Sequence, residues 1–275
     1  GHGTDNAADE ARLLVYHALH LELDGPEYFL GCRLLEAERA AVTGLVDERI
    51  ASRKPAAYLT GTAWFAGLAF SVNEEVLVPR SPLAELIAEG FAPWYDGTAA
   101  ARILDLCTGS GCIGIACAAW LPEVKVDLAD ISGAALAVAA DNVRAHGLDD
   151  RVALIESDLF DAVDGRYDII VSNPPYVADA EFRGLPAEYH REPALGLVAG
   201  DDGLDAVHRI LAAAREHLAD DGVLVVEVGS AADALVASYP EVPFTWLDFE
   251  RGGSGVFVLE AAALEALAAR GDDGR

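Results

Sequence analysis

The chain has 275 residues, 52% of them hydrophobic, and a mean hydropathy of +0.23, so it can bury a sizeable core and is not a disordered polymer. Its 46 acidic and 19 basic residues give a net charge of −27, which argues against a nucleic-acid backbone as partner, because that contact is built from Lys and Arg. No apolar run approaches the roughly 20 residues of a membrane span and no signal peptide opens the chain, so a cytoplasmic protein without a membrane partner is expected.

In chain order, Gly1-His2-Gly3 reads as a tag remnant and the tail “RGDDGR” as a polar terminus, both outside the expected fold. Residues 7–52 predict helices. “ARLLVYHALHLEL” and “EYFLGCRLLEAERAAVTGLVDERIAS” repeat apolar residues at three-to-four spacing, with “DGP” breaking between them. Aromatic and β-branched residues then gather around Ala66-Gly67, which predicts a β-hairpin. Ser81-Pro82 is an N-cap followed by proline at the first helical position, opening “LAELIAEGFAPWY”.

From Ala101 onward strands and helices alternate. The predicted strands are “RILDLC”, “KVDLAD”, “VALIESD”, “YDIIVSN” and “VLVVEVG”, with helical patterns such as “SGAALAVAADNVRAHGL” and “LDAVHRILAAAREHLADDG” between them. That order predicts an α/β fold with a parallel, doubly wound sheet, and “FTWLDFE”, “RGGSG” and “VFVLEA” predict an antiparallel hairpin closing it. Ligands of such sheets bind outside the carboxyl ends of the strands. Asp105, Asp130, Asp158 and Asn173 each stand at or near such an end.

Other chemistry-bearing residues carry less. Cys32, Cys107, Cys112 and Cys117 form no C-x-x-C pair, so no metal site is expected and they read as small hydrophobes in a reducing compartment. His17 and His20 share a face of the first predicted helix without a third ligand, and read as packing or surface residues. Charge is uneven: residues 1–80 hold 7 basic and 12 acidic groups, and residues 81–275 hold 12 and 34. That field favours a basic partner, or only solubility.

“DLCTGSGCIGIACA” places a strand, a tight turn and a helix in succession, and Gly109 to Gly114 fits G-x-G-x-x-G. A nicotinamide or flavin oxidoreductase fits this motif. S-adenosyl-L-methionine fits the surroundings better. Asp105, four residues before Gly109, repels a pyrophosphate and suits a cationic amino group. Asp130 is placed to accept from ribose hydroxyls and Asp158 from an adenine amino group. Thr108, Gly109, Gly111, Leu159 and Asn173 complete the expected donor site.

Asn173-Pro174-Pro175-Tyr176 ends the fourth strand as a rigid ledge, since two prolines cannot extend a ladder. An amide nitrogen is a poor nucleophile because its lone pair is delocalised into the carbonyl. The Asn173 side-chain carbonyl and the Pro174 backbone carbonyl can accept from both of its N–H groups and turn the lone pair toward a methyl donor. Tyr176 can wall the pocket and meet a sulfonium through its ring face. Asn173, Pro174 and Tyr176 are therefore the catalytic candidates; Asn173, Pro174, Pro175, Tyr176 and Arg80 are the candidates for holding substrate.

These motifs resemble the HemK-like family of class I methyltransferases, which methylate the side-chain nitrogen of a protein glutamine. “NPPY” is also shared with adenine-N6 DNA methyltransferases, a reading the charge disfavours. Where the release-factor branch reads Pro-Arg-Pro-Glu-Thr-Glu, this chain reads Pro79-Arg80-Ser81-Pro82-Leu83-Ala84-Glu85. With “AYLTGTAWFAGLAF” and “LPAEYHREPALGLVAGDDGLDA”, this is more similar to the branch that modifies ribosomal protein three of the large subunit. The resemblance implies S-adenosylmethionine as donor, S-adenosyl-L-homocysteine as product and a Rossmann-like methyltransferase sheet. It further implies a helical substrate-recognition domain over residues 1–58, a hairpin linker over 59–80 and a methyltransferase domain over 81–275. The expected partner is a free, basic ribosomal protein, with a peptide release factor as the alternative and a non-catalytic assembly role as the rival from another class.

Overall fold

The computed structural model describes residues 6–22, 31–95, 97 and 101–272. Helix α1 (Ala7–Ala18) begins where the Asn6 side-chain oxygen accepts from the N–H groups of Ala8 and Asp9. His20 falls beyond it at φ +53, so it does not share a helix face with His17. Helix α2 (Glu36–Ser52) is shorter than predicted. Its start is fixed where Leu35 N–H donates to the Glu38 carboxylate at 2.7 Å. The segment before it is non-helical at 32–35, and residues 23–30 lie outside the described residues.

A short helix, α3 (Ala56–Thr60), leads into the hairpin β1 (Thr62–Phe65) and β2 (Leu68–Ser71). Ala66 and Gly67 both take positive φ in its turn, which matches the twist of paired strands. Helix α4 (Leu83–Ala88) follows and ends well before Tyr95, because Gly90 turns the chain at φ +66.

The main sheet holds β3 (Arg102–Leu106), β4 (Lys125–Asp130), β5 (Val152–Glu156), β6 (Tyr167–Ser172), β7 (Leu218–Glu227), β8 (Thr245–Trp246) and β9 (Val256–Glu260). Their order is β5-β4-β3-β6-β7-β9-β8, parallel through β7 and antiparallel beyond it. The helices are α5 (Cys112–Trp120), α6 (Gly133–Ala145), α7 (Asp179–Phe182), α8 (Asp205–His217), α9 (Ala232–Ser238) and α10 (Ala261–Asp272).

Strand alternation divides the core in two. Ile169, Val171, Val223 and Val225 face α4, α5 and the hairpin, packing with Phe65, Phe70, Leu83 and Ile115. Ile170, Leu224 and Val226 face the other way onto Val207, Ile210 and Leu211 of α8 and Leu264 of α10. Burying each such aliphatic side chain contributes about 1.5–3 kcal/mol.

Two further elements differ from the predicted ones. The helix expected through Gly222 stops at His217, because Leu218 pairs with Tyr167 while Val223 pairs with Ile169. The intervening residues form an irregularity in β7. Residues 261–272 form α10, a helix not among the predicted elements, which ended with the strand “VFVLEA” and set aside only the tail “RGDDGR”; Ala261 and Leu264 anchor it in the core.

The chain winds away from β3 on one side toward β5 and on the other through β6 toward β7. The carboxyl ends of β3 and β6 therefore flank the switch point where open α/β sheets bind ligands. Ser172 pins the two ends together, its hydroxyl donating to Leu106 O at 2.9 Å.

Candidate active site

A cavity of about 800 Å³ opens at this switch point. Its floor is the turn between β3 and α5. Cys107 at φ +59, Gly109 at +56 and Gly111 at +81 reverse the chain. Gly111 is needed twice over, since a Cβ there would stand 2.9 Å from Ile115 Cδ1 as well as at positive φ. A Cβ on Gly114 would stand 2.2 Å from Leu128, so this glycine lets α5 lie close on the sheet. Above Gly109 nothing lies within 4 Å of the same position, which leaves room for a ligand.

Asp105 holds the turn from below. It is fully buried, and its Oδ2 accepts from the Thr108 hydroxyl at 2.6 Å and the Gly114 N–H at 2.9 Å. Burial pushes its pKa up to about 7 against the pull of those two donors. Its Oδ1 is buried with no hydrogen-bond partner. Thr108, Gly109, Asp130, Asp158, Leu159, Asn173, Pro175, Tyr176 and Arg80 line the cavity; Asp105, Gly111 and Pro174 are not among its lining residues but adjoin it through Thr108, Ser110 and Asn173.

Asp130 ends β4 and fixes both the turn and its own helix. Its Oδ2 accepts from Gly109 N–H and its Oδ1 from Ser132 N–H, each at 2.9 Å. Burial raises its pKa although these N–H groups oppose the shift. Asp158 lies beyond β5, half-exposed, with Oδ1 paired to Arg209 of α8 at 2.8 Å. Leu159 beside it adopts φ +52 and is buried. Cys107 also lines the cavity, but burial pushes its thiol up to about 12, so it is not a thiolate nucleophile at neutral pH.

The ledge closes the far side. The Asn173 Oδ1 is buried and has no hydrogen-bond partner. The Tyr176 hydroxyl donates to Glu227 Oε1 at 3.1 Å, and burial raises its pKa. After the ledge, Val177 bridges to Val198 and brings residues 193–199 over the cavity as a roof. Glu192, at the base of that roof, accepts from Arg80 at 2.9 Å and from Val78 N–H at 2.9 Å. The Arg80 guanidinium also lies over the Tyr189 ring, 5.1 Å from its centroid. Glu188 in turn accepts from Arg49 and Arg53 of the N-terminal region at 3.1 and 2.6 Å.

Ser81, Tyr189, Arg209 and Glu227 line the cavity without having been singled out from the sequence. Glu227 carried a usable signal, a charged residue at the end of an apolar strand neighbouring “YDIIVSN”. Ser81 read only as a helix cap. The cap of α4 falls one residue later, at Pro82, although the Ser81 hydroxyl accepts from Leu83 N–H at 3.1 Å.

Among the described residues no group of His, Cys, Asp and Glu is arranged to hold a metal ion, and no helix is long and apolar enough to cross a membrane. The donor set offers carboxylates and backbone groups at one end of the cavity and an amide acceptor at the other. It suits a ligand with a cationic amino group and a nucleoside.

Residues 86–185 match the family described as the methyltransferase small domain. The ribosomal protein uL3 glutamine methyltransferase of Xanthomonas campestris pv. campestris is 53% identical over 273 residues, 98% of this chain and 88% of that protein. Its namesake in Bordetella pertussis is 50% identical over 261 residues, 94% of this chain and 88% of that one. Among solved structures, the hMettl16 catalytic domain aligns with a TM-score of 0.53 at 18% identity, over 81% of this chain and 80% of its own. A methyltransferase from Pyrococcus furiosus aligns with a TM-score of 0.51 at 17% identity, over 81% and 98%. These two likenesses concern the fold alone.

Proposed function

The chain belongs to the family of ribosomal protein uL3 glutamine methyltransferases, and from that premise we propose that it methylates the side-chain amide nitrogen of a glutamine in this ribosomal protein, with S-adenosylmethionine as donor. The observation that carries the reading is the Asn173 Oδ1, a buried acceptor without a partner beside two rigid prolines. Leaving such an atom unpaired costs about 1–3 kcal/mol. The cost is recovered when a substrate N–H reaches it.

When bound, S-adenosylmethionine supplies an electrophilic methyl group and leaves as S-adenosyl-L-homocysteine. Asp105 offers its unpartnered Oδ1 to the amino group, the turn at Thr108 to Gly111 carries the chain past it, Asp130 accepts from the ribose, and Asp158 with Leu159 receives the adenine. Asn173 Oδ1 and the Pro174 carbonyl each accept one N–H of the glutamine amide. That fixes the plane of the amide and turns its lone pair toward the methyl donor. Tyr176 and Pro175 wall the site and exclude water, and Arg80 stands at the substrate side. No base is required before transfer, because the nitrogen becomes acidic only once alkylated and then releases its proton.

Residues 1–58 are assigned to recognition of the protein substrate, with 59–80 joining them to the methyltransferase domain over 81–275. The partner is the free basic protein, which suits an enzyme of net charge −27.

The test is transfer of a labelled methyl group to free uL3 and to a release factor, each beside a glutamine-to-alanine control. Label on uL3 that its control lacks is the expected result. Label on the release factor alone would move the enzyme to the other branch, and label on neither would overturn the reading. In the same assay Asn173→Ala is expected to lower kcat by about 10²–10³-fold while donor affinity, read by calorimetry, stays within a few-fold.

A further inference from the structure

We propose that Glu227 is a positioning residue for methyl transfer, holding Tyr176 in place through a hydrogen-bonded chain that runs Leu83, Ser81, Glu227, Tyr176. The inference rests on the functional reading above and extends it to residues outside the ledge.

The chain is continuous. Leu83 N–H donates to Ser81 Oγ at 3.1 Å, the Ser81 hydroxyl donates to Glu227 Oε2 at 2.5 Å, and the Tyr176 hydroxyl donates to Glu227 Oε1 at 3.1 Å. Each carboxylate oxygen thus has its own hydroxyl partner. Ser81 is 8% exposed and Glu227 5%, so both bonds are largely shielded from bulk water. Burial raises the pKa of Glu227, while Ser81, Tyr176 and the charge of Arg80 oppose the rise. Packing alone does not call for a carboxylate here. An apolar side chain would fill the space without the cost of burying a charge.

The same tyrosine is gripped elsewhere. A Cβ on Gly229 would stand 2.5 Å from Tyr176 Cε2 and 2.8 Å from Cζ, so the ring lies directly on a bare glycine. A Cβ on Gly203 would stand 2.3 Å from the Tyr176 carbonyl oxygen. Glycine holds the face and the backbone; Glu227 holds the tip. Tyr176 is separated from Asn173 only by two prolines, so a ring fixed at both face and tip fixes the ledge that presents Asn173 and Pro174. Reaction geometry tolerates little error: a displacement of about 1 Å costs on the order of 10²-fold in rate.

Four variants test this: Glu227→Gln, Ser81→Ala, Tyr176→Phe, and the double Tyr176→Phe/Glu227→Gln. Each is assayed for steady-state methylation of free uL3 and for donor affinity by calorimetry. Glu227→Gln is expected to lower kcat by about 10–100-fold with donor Kd within about threefold, and Ser81→Ala, which reaches the chain from its far end, to shift kcat the same way by less. If Glu227 acts through the tyrosine hydroxyl, adding Glu227→Gln to Tyr176→Phe costs less than about threefold more. Unchanged kcat in both Glu227→Gln and Ser81→Ala would overturn the inference alone. So would fully additive costs in the double variant, or loss of donor affinity in step with kcat. Absence of transfer by the unaltered enzyme would overturn the functional reading and this inference with it.

Discussion

At Asp105 one carboxyl group serves two tasks that pull against each other. Its Oδ2 ties Thr108 and Gly114 into the turn, and its Oδ1, buried without a hydrogen-bond partner, is the atom proposed above to meet the donor's amino group. Burial, reinforced by the negative charge of Asp130, raises its pKa to about 7, so near neutrality the carboxyl is only partly ionised. Two opposite pH dependences follow. Binding of a cationic donor group needs the ionised form, so donor affinity should weaken below pH 7, by up to about tenfold per unit. Folding responds the other way. A carboxyl whose folded pKa lies above its unfolded value stabilises most on the acid side, and that contribution is lost as pH rises through about 7. Calorimetric titration of the donor at pH 6 and pH 8, with thermal unfolding of the free protein at both, checks the pair. Asp105→Asn should flatten both profiles together. At this scale the sequence was readable where chemistry is local. Asp130, Asp158 and Asn173 were visible as polar residues at strand ends. Ser81 and Glu227 were not, because their meaning lies in a contact across 146 residues.

Between elements, Asn142 is the joint that matters most. It sits in α6, 1% exposed, donates to Ser71 O at 3.0 Å and Ser110 O at 2.8 Å, and accepts from Ser71 N–H at 2.7 Å. One side chain thereby ties the edge of the hairpin to the turn that floors the cavity. Asn142→Ala would leave three backbone groups unpaired and should destabilise the fold by about 1–3 kcal/mol, read from the denaturant midpoint. Donor affinity should fall as well, because Ser110 belongs to the floor. Element types were legible wherever periodicity and punctuation agreed, as in α6 behind its Ser132 cap. They failed where tertiary pairing overrode them. “LADDG” reads as the end of a helix, yet pairing of Leu218 with Tyr167 draws it into β7. The apolar spacing of α10 was hidden by the charged residues that follow it.

For the whole molecule, the dominant quantity is charge. A net −27 acts on a basic protein over about a Debye length, roughly 8–10 Å at moderate salt. The KM for free uL3 should therefore rise steeply with ionic strength, mainly through slower encounter, while that for an uncharged glutamine peptide barely moves. Parallel assays between low and high salt on the two substrates measure the difference. An equal response would reduce the acidic surface to a solubility trait. The sheet and its antiparallel end were legible at this scale because alternation of strands and helices restricts topology strongly. The roof over the cavity was not, since its segment carries almost no periodic signal.

The bond between Ser81 and Glu227 also bears on the order in which the molecule is made. The floor and ledge of the cavity come from residues 105–176, four consecutive strands whose partners lie close in the chain. The brace for the ledge waits for residue 227. A growing polypeptide thus completes the strands that carry floor and ledge well before the residue that braces the ledge has been made, so the contact of Ser81 with Glu227, 146 residues apart, closes only with the last third of the chain.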